Sequence, residues 1–224
     1  MINHEELRDL LRRVNLYNAS KIETFDLGID DPIQYLFFIL NYELKKRNEN
    51  KVCENKKRSK LPLIKKAPIL QGIDEWNLEE LKKLTFIDTD QNVLITGKCG
   101  VGKTALAVMI GNLALEKGYK VYYIKCDELI YVFSTQTTLS KSKKIYEYLK
   151  DSDLIIIDEV MYLPIKDEDL TILYKGLSFL SESRNLMCIT NRNLSDWNIV
   201  AKDKHMMQTL IDRILKYAKL LNLN

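Results

Sequence analysis

Gly97-Lys98-Cys99-Gly100-Val101-Gly102-Lys103-Thr104 is the stretch whose reading decides the fold. It fits G-x-x-x-x-G-K-[ST], a loop that cradles phosphate. Asn92 to Thr96 before it reads as a short buried strand, and Ala105 to Lys117 after it as a helix. Strand, glycine loop and helix together are the context in which the motif works. Glycines let backbone N–H groups turn inward around an anion, where a Cβ would crowd the approach. The helix adds the positive end of its dipole. Lys103 is placed to reach β- and γ-phosphates, and the Thr104 hydroxyl to ligate Mg²⁺. Gly97, Lys98, Cys99, Gly100, Val101, Gly102, Lys103, Thr104 and Ala105 are the expected nucleotide contacts. The bland alternative is a structural glycine turn.

Further along, Leu154 to Ile157 is a continuous apolar run that ends in Asp158-Glu159. A strand apolar on both faces belongs inside a parallel sheet. Acids at its carboxyl end sit where α/β sheets place ligands. Asp158 is expected in the Mg²⁺ shell, and Glu159 is expected to orient and polarise the attacking water. Leu186 to Thr190 reads as another strand with Asn191 at its end, where a polar side chain can hydrogen-bond the water or the γ-phosphate. A turn asparagine is the alternative use. Val121 to Ile124 supplies one more strand. Helices are expected over Asp127–Phe133, Lys143–Lys150, Asp167–Glu182 and Lys204–Leu220, with a mobile polar loop over Ser134–Ser142. The fold class that follows is α/β: a central parallel sheet flanked by helices, preceded by a small helical domain.

The 224 residues suffice for one core domain with a small appendage. The longest strongly apolar run, Tyr35 to Leu40, is far short of the ~20 residues a membrane helix needs. The opening residues carry no basic n-region and no signal h-region. A cytoplasmic protein with no membrane partner is expected. Four cysteines without a C-x-x-C pair, and only two histidines, argue against a zinc site or a disulfide framework.

Residues 5–17 carry leucines at helical spacing. A second helix should start at Asp31-Pro32, with Asp31 as cap and the apolar first half, Ile33 to Leu40, buried. A partner-docking surface is the other use of that half. Asn77, with Glu80 three residues on, reads as a further helix start. Residues 41–66 hold ten cations against three glutamates, so this segment carries +7 in a chain of +3 and leaves −4 elsewhere. Such a concentration suits a polyphosphate partner. Lys45, Lys46, Arg47, Lys51, Lys56, Lys57, Arg58 and Lys60 are the expected DNA contacts, against a solvated helix face or linker. Pro62 and Pro68 mark a domain boundary near residue 67, giving domains 1–66 and 67–224.

Taken together, these residues resemble the IstB/DnaC-like branch of AAA+ ATPases, which contains transposition helpers of insertion sequences and bacterial helicase loaders. Gly97–Thr104 is similar to the family's Walker A motif and Leu154–Pro164 to its extended Walker B. Thr190-Asn191 with Ser195-Asp196-Trp197 resembles sensor 1 and the turn after it. Asp212-Arg213 resembles the pair that carries an arginine finger. The resemblance implies an AAA+ fold, ATP with Mg²⁺, and a homo-oligomer on DNA in which Arg213 acts on a neighbour's nucleotide. A DDE-type transposase is the implied partner, with a replicative helicase as the alternative. Cys99, Ala105 and Met161 stand where the family commonly has proline, histidine and glycine. The family's sensor 2 arginine has no counterpart before Asn224, so slow hydrolysis in isolated subunits is expected.

Three other readings remain open at this stage: a helicase loader on single-stranded DNA, a P-loop kinase of a small molecule, and an ATP-binding adaptor without significant hydrolysis. The first lacks the N-terminal cysteine module that some loaders carry. The second lacks an arginine-rich lid. The third is favoured by the missing sensor 2.

Overall fold

The computed structural model describes residues 4–23, 25, 28–64 and 72–223, which fall into two compact units, Met1–Glu54 and Asn55–Asn224. The boundary expected near residue 67, with Pro68, lies outside the described residues.

The second unit is built on five strands: β1 Val93–Gly97, β2 Val121–Lys125, β3 Leu154–Asp158, β4 Asn185–Ile189 and β5 Lys219–Leu223. They form one sheet in the order β2-β3-β4-β1-β5, with every neighbouring pair parallel. Each residue of β3 and of β4 is buried, as a strand covered on both faces requires. Alternation along the strands then sorts side chains into two layers. Leu94, Ile124, Ile155, Ile157 and Cys188 face one core. α6 Cys126–Thr135, α7 Ser140–Asp151, α8 Asp167–Leu180, α9 Leu194–Val200 and α10 Lys204–Leu215 cover it. Val93, Ile95, Val121, Ile156 and Ile189 face the other. That side is covered by α3 Glu75–Lys83, the single turn α4 Thr85–Asp88 and α5 Lys103–Glu116. Burial of each such Leu or Ile contributes about 1.5–3 kcal/mol.

Several local features differ from expectation. The last helix ends at Leu215, not Leu220. Tyr217 adopts φ +58°, and the chain then pairs as β5 with β1, Leu221 opposite Ile95. The leucine-rich tail fits both a helical and an alternating period, and only non-local pairing decides between them. α3 is capped by Asp74, whose Oδ1 accepts from Asn77 N at 2.8 Å, so Asn77 is inside the helix and is not its cap. The expected loop over Ser134–Ser142 is mostly helix ends. The Thr135 and Ser142 hydroxyls lie 2.7 Å apart, bridging α6 and α7.

The first unit holds α1 His4–Arg13, a 3₁₀ turn at Ala19–Lys21, and the part of α2 Pro32–Arg58 up to Glu54. α1 stops short of Tyr17, and Asn15 turns the chain at φ +63°. Asp31 caps α2, accepting from Ile33 N at 2.8 Å. The expected burial of Ile33 to Leu40 does not hold. Ile33 is 80% exposed and Phe37 70%, and Leu36 and Leu40 are also exposed, while Ile39 alone of that run is buried. A helix apolar all round needs cover on every side, and this unit's small core of Leu11, Ala19, Ile22, Phe25 and Ile39 offers it on one.

Candidate nucleotide-binding site

The glycine loop follows the carboxyl end of β1 and feeds directly into α5. Gly100 and Gly102 sit at φ +87° and +96°, backbone states that L side chains rarely adopt. At Gly97 the requirement is steric as well. A Cβ there would lie 2.0 Å from the Leu223 carbonyl oxygen, so the first glycine of the loop lets β5 close against β1.

Beside the loop lies a cleft of about 420 Å³, lined by Cys99, Gly100, Gly102, Lys103, Thr104 and Ala105 and reaching Asp158, Glu159 and Asn191. Residues distant in sequence thus converge as expected. Val101 instead turns into the core. Sequence reasoning did not single out Ile64 or Ile189, which also line the cleft, together with Tyr162 and Thr190 from the stretches that resemble the extended Walker B and sensor 1. Ile64 and Ile189 carry no motif signature, and only the fold brings them there.

Within the cleft, Thr104 Oγ1 donates to Asp158 Oδ2 at 2.8 Å. Tyr123 Oη donates to the same oxygen at 2.7 Å, and Glu159 N donates to Asp158 Oδ1 at 2.7 Å. Asp158 is 5% exposed, so its charge is held by donors in place of water. Burial, with the adjoining carboxylate, pushes the Tyr123 phenol strongly up, so it remains a donor. Lys103 Nζ donates to the Gly97 and Lys98 carbonyls, both at 2.7 Å. Burial lowers its pKa, opposed by Cys99 and Asp158.

Glu159 occupies the left-handed region at φ +58°, and Met161 does so at +56°. The second value explains why glycine suits that position. Val160 between them is pinned by its N–H to the Ile189 carbonyl at 2.9 Å. The Glu159 carboxylate pairs with Lys125 Nζ at 2.8 Å. Asn191 follows β4, where Thr190 N donates to the Ile95 carbonyl at 3.0 Å.

Two groups of expected residues lie elsewhere. Arg213 lines a separate cleft beside Asp90 and Asn92, at the start of β1. It donates to the Ser178 carbonyl at 2.6 Å and to Glu182 Oε1 at 3.1 Å. The phosphate loop follows the opposite end of that strand, roughly 16 Å away at strand rise. Of the basic series, Arg47 is bonded to Glu43 at 2.7 Å and to the Asn15 carbonyl, and Lys46 to Glu49 at 2.7 Å.

A five-stranded parallel sheet with a P-loop after β1 and an acid pair after β3 defines a P-loop protein of the AAA+ type. The chain belongs to the family of IstB-like ATP binding proteins, whose family model matches residues 14–224. It is 26% identical over 209 residues to the ATP-binding protein named for insertion sequence IS232 of Bacillus thuringiensis subsp. berliner, covering 90% of this chain and 84% of that one. Its counterpart from insertion sequence IS5376 of Geobacillus stearothermophilus is 28% identical over 195 residues, 85% of this chain and 78% of the relative. Among solved structures, DnaI superposes with a TM-score of 0.58 at 13% identity, over 76% of this chain and 93% of that one. DnaA from Aquifex aeolicus bound to AMPPCP gives 0.54 at 18%, over 72% and 51%. At such identities these two show the fold alone.

Proposed function

We propose that this protein is a DNA-dependent ATPase that assembles on DNA as a homo-oligomer and recruits or activates a DDE-type transposase. The observation that carries the reading is the Thr104–Asp158 contact with Glu159 and Asn191 beside it in one cleft. A hydroxyl and a carboxylate oxygen 2.8 Å apart are hard donors of the kind Mg²⁺ shares with nucleotide phosphates. Thr104 and Asp158 would hold Mg²⁺, which would supply positive charge against the phosphates of a bound nucleotide. Lys103, now on the loop carbonyls, is within a side-chain rotation of the phosphates the loop would cradle. Glu159 orients the attacking water, and Asn191 holds the water or the γ-phosphate. Arg213, remote from its own loop, serves the cleft of a neighbouring copy. Lys45, Lys51, Lys56, Lys57 and Lys60 contact DNA phosphates. The insertion-sequence names of the relatives support the transposition context.

Because an arginine finger is worth about 10³ or more in rate, turnover per subunit should rise with protein concentration and with added duplex DNA. A rate independent of both would overturn the proposal. The Lys125–Glu159 pair favours a second reading, an ATP-binding adaptor that hydrolyses little. Under that reading Glu159→Gln leaves transposition intact while Lys103→Ala abolishes it.

A further inference from the structure

One face of α2 in the first unit is apolar and open to solvent: Ile33, Phe37, Leu40 and Leu44 are all exposed. The core of the unit takes Tyr35, Ile39 and Tyr42 from the opposite side of the same helix. We propose that the exposed face is the contact between two copies of this chain. They pair antiparallel, with Ile33 of each copy facing Leu44 of the other and Phe37 facing Leu40. The pair forms without nucleotide or DNA and is separate from the assembly through Arg213 proposed above.

Three observations single out a second copy as the occupant. The first is spacing. The four residues stand four, three and four positions apart. That is the period of a coiled-coil seam, a stripe narrower than the one a helix lays on a broad core. The spacing also reads the same from either end. A two-fold axis between Phe37 and Leu40 therefore sets the seam against itself in register, as an isologous interface requires. The second is neutrality. From Pro32 to Leu44 the helix carries one charged residue, Glu43, which is buried and bonded to Ala19 N and Arg47. Gln34 and Asn41 beside the seam are uncharged. Two copies can meet here without opposing like charges.

The third is charge along the rest of the helix, which fixes the direction. Lys45 to Arg58 holds seven cations against Glu49 and Glu54, while Asp30 and Asp31 precede the first turn. A parallel pair would run the two basic halves side by side, with Arg47 and Lys51 at the next seam positions. An antiparallel pair sends those halves to opposite ends. It also turns the acidic entry of each helix toward the basic half of the other. Leu36, exposed as well, flanks the seam. Two such faces together would bury on the order of 1,000 Å², the low end for a specific interface, which suits a reversible pair.

Sedimentation of the full chain, free of nucleotide and DNA, tests the pairing from about 1 to 100 µM. The wild type should approach a dimer as concentration rises. Phe37→Lys and Leu40→Glu should each weaken pairing about tenfold or more. Mixed together, the two variants should dimerise again. The antiparallel register sets the new lysine opposite the new glutamate at one site and leaves Leu40 on Phe37 at the other. Both positions are exposed in the single chain, so the fold should be kept. Should one variant unfold, Ile33→Lys with Leu44→Glu repeats the test at the outer sites. Arg213→Ala should leave the dimer intact. A wild type monomeric throughout, or variants that dimerise as it does, would overturn the proposal. So would a mixture that stays monomeric, or an Arg213→Ala chain that loses the dimer. If pairing behaves as stated while turnover per subunit ignores protein concentration and DNA, the ATPase assembly reading falls and this one stands.

Discussion

Lys125, the last residue of β2, places its Nζ 2.8 Å from Oε1 of Glu159, the residue after β3. The carboxylate expected to orient water is thus tied to a cation on the neighbouring strand. Lys125→Met should raise ATP turnover about two- to fivefold, because a half-exposed pair holds its partner by only about 0.4–1 kcal/mol. Hydrogen bonding to Glu159 raises the Lys125 pKa above its usual 10.5. The pair is therefore intact at neutral pH and is lost as pH rises through that raised value. The ratio of variant to wild-type turnover should stay flat from about pH 7 to 9. Equal or lower turnover in the variant would show that Lys125 does not restrain Glu159.

Tyr123→Phe removes one of the two side-chain donors to Asp158 Oδ2. A hydrogen bond to a charged group is worth about 1.5–3 kcal/mol. Asp158 should then hold its position less firmly, and the Mg²⁺ concentration needed to tighten binding of a fluorescent ATP analogue should rise about tenfold. Nucleotide binding without Mg²⁺ should not move. A lower melting temperature with an unchanged Mg²⁺ titration would make the tyrosine structural only.

Thiol chemistry should divide the cysteines in two. Cys53 and Cys99 are exposed, while Cys126 and Cys188 are buried and their thiols are pushed up to about 12 by burial. At about pH 8 a maleimide should label Cys53 and Cys99 alone, and ATP should protect Cys99. The raised values also carry a stability consequence. The folded state keeps protons that the unfolded chain loses above 9.0, so stability is full below that pH and declines as pH climbs towards about 12.

Glu43, buried in the first unit, accepts from Ala19 N at 2.7 Å, Asn18 Nδ2 at 3.0 Å and Arg47 Nε at 2.7 Å. Burial raises its pKa, but these donors together outweigh it and the net value is lowered. Its contribution is present above the ordinary 4.5 and is lost as pH falls through the lowered value. Glu43→Ala should cost about 2 kcal/mol or more locally. Hydrogen exchange at the Ala19 amide reads this directly. Unchanged protection would place the anchor of the turn elsewhere.

Gly176 of α8 has no room for a side chain, since a Cβ would lie 2.1 Å from Phe133 Cε2 on α6. Gly176→Ala should destabilise by about 1–3 kcal/mol. Phe133→Leu in the same chain should recover part of the loss in a double-mutant cycle. Purely additive effects would mean that the two helices separate freely.

The phosphate loop, β1, α5, β3 and its acid pair were legible because each depends on neighbours in sequence: turn glycines, an unbroken apolar run, a hydroxyl after a lysine. Asp158 and Asn191 could be assigned because strand ends point to a common edge in a parallel sheet. Asp74 and Asn77 are equally good caps by composition, and only the folded backbone, with Asn77 N bonded to Asp74 Oδ1, decides for Asp74. The apolar start of α2 is exposed because sequence reports hydrophobicity, while burial depends on how many neighbours exist to cover it.

By itself, then, the sequence determined a strand, glycine loop and helix, and an acid-tipped strand further along the chain, since these features are local. Tertiary structure alone decided that Leu221 and Leu223 lie on a fifth strand, and that Gly97 is needed for β5 to approach. It also decided that Tyr123 and Lys125 each hold one carboxylate of the acid pair, and that Arg213 lies a strand's length from its own loop. Each of these depends on pairing between segments far apart in the chain, and such pairing is settled only when the sheet closes and the core fills.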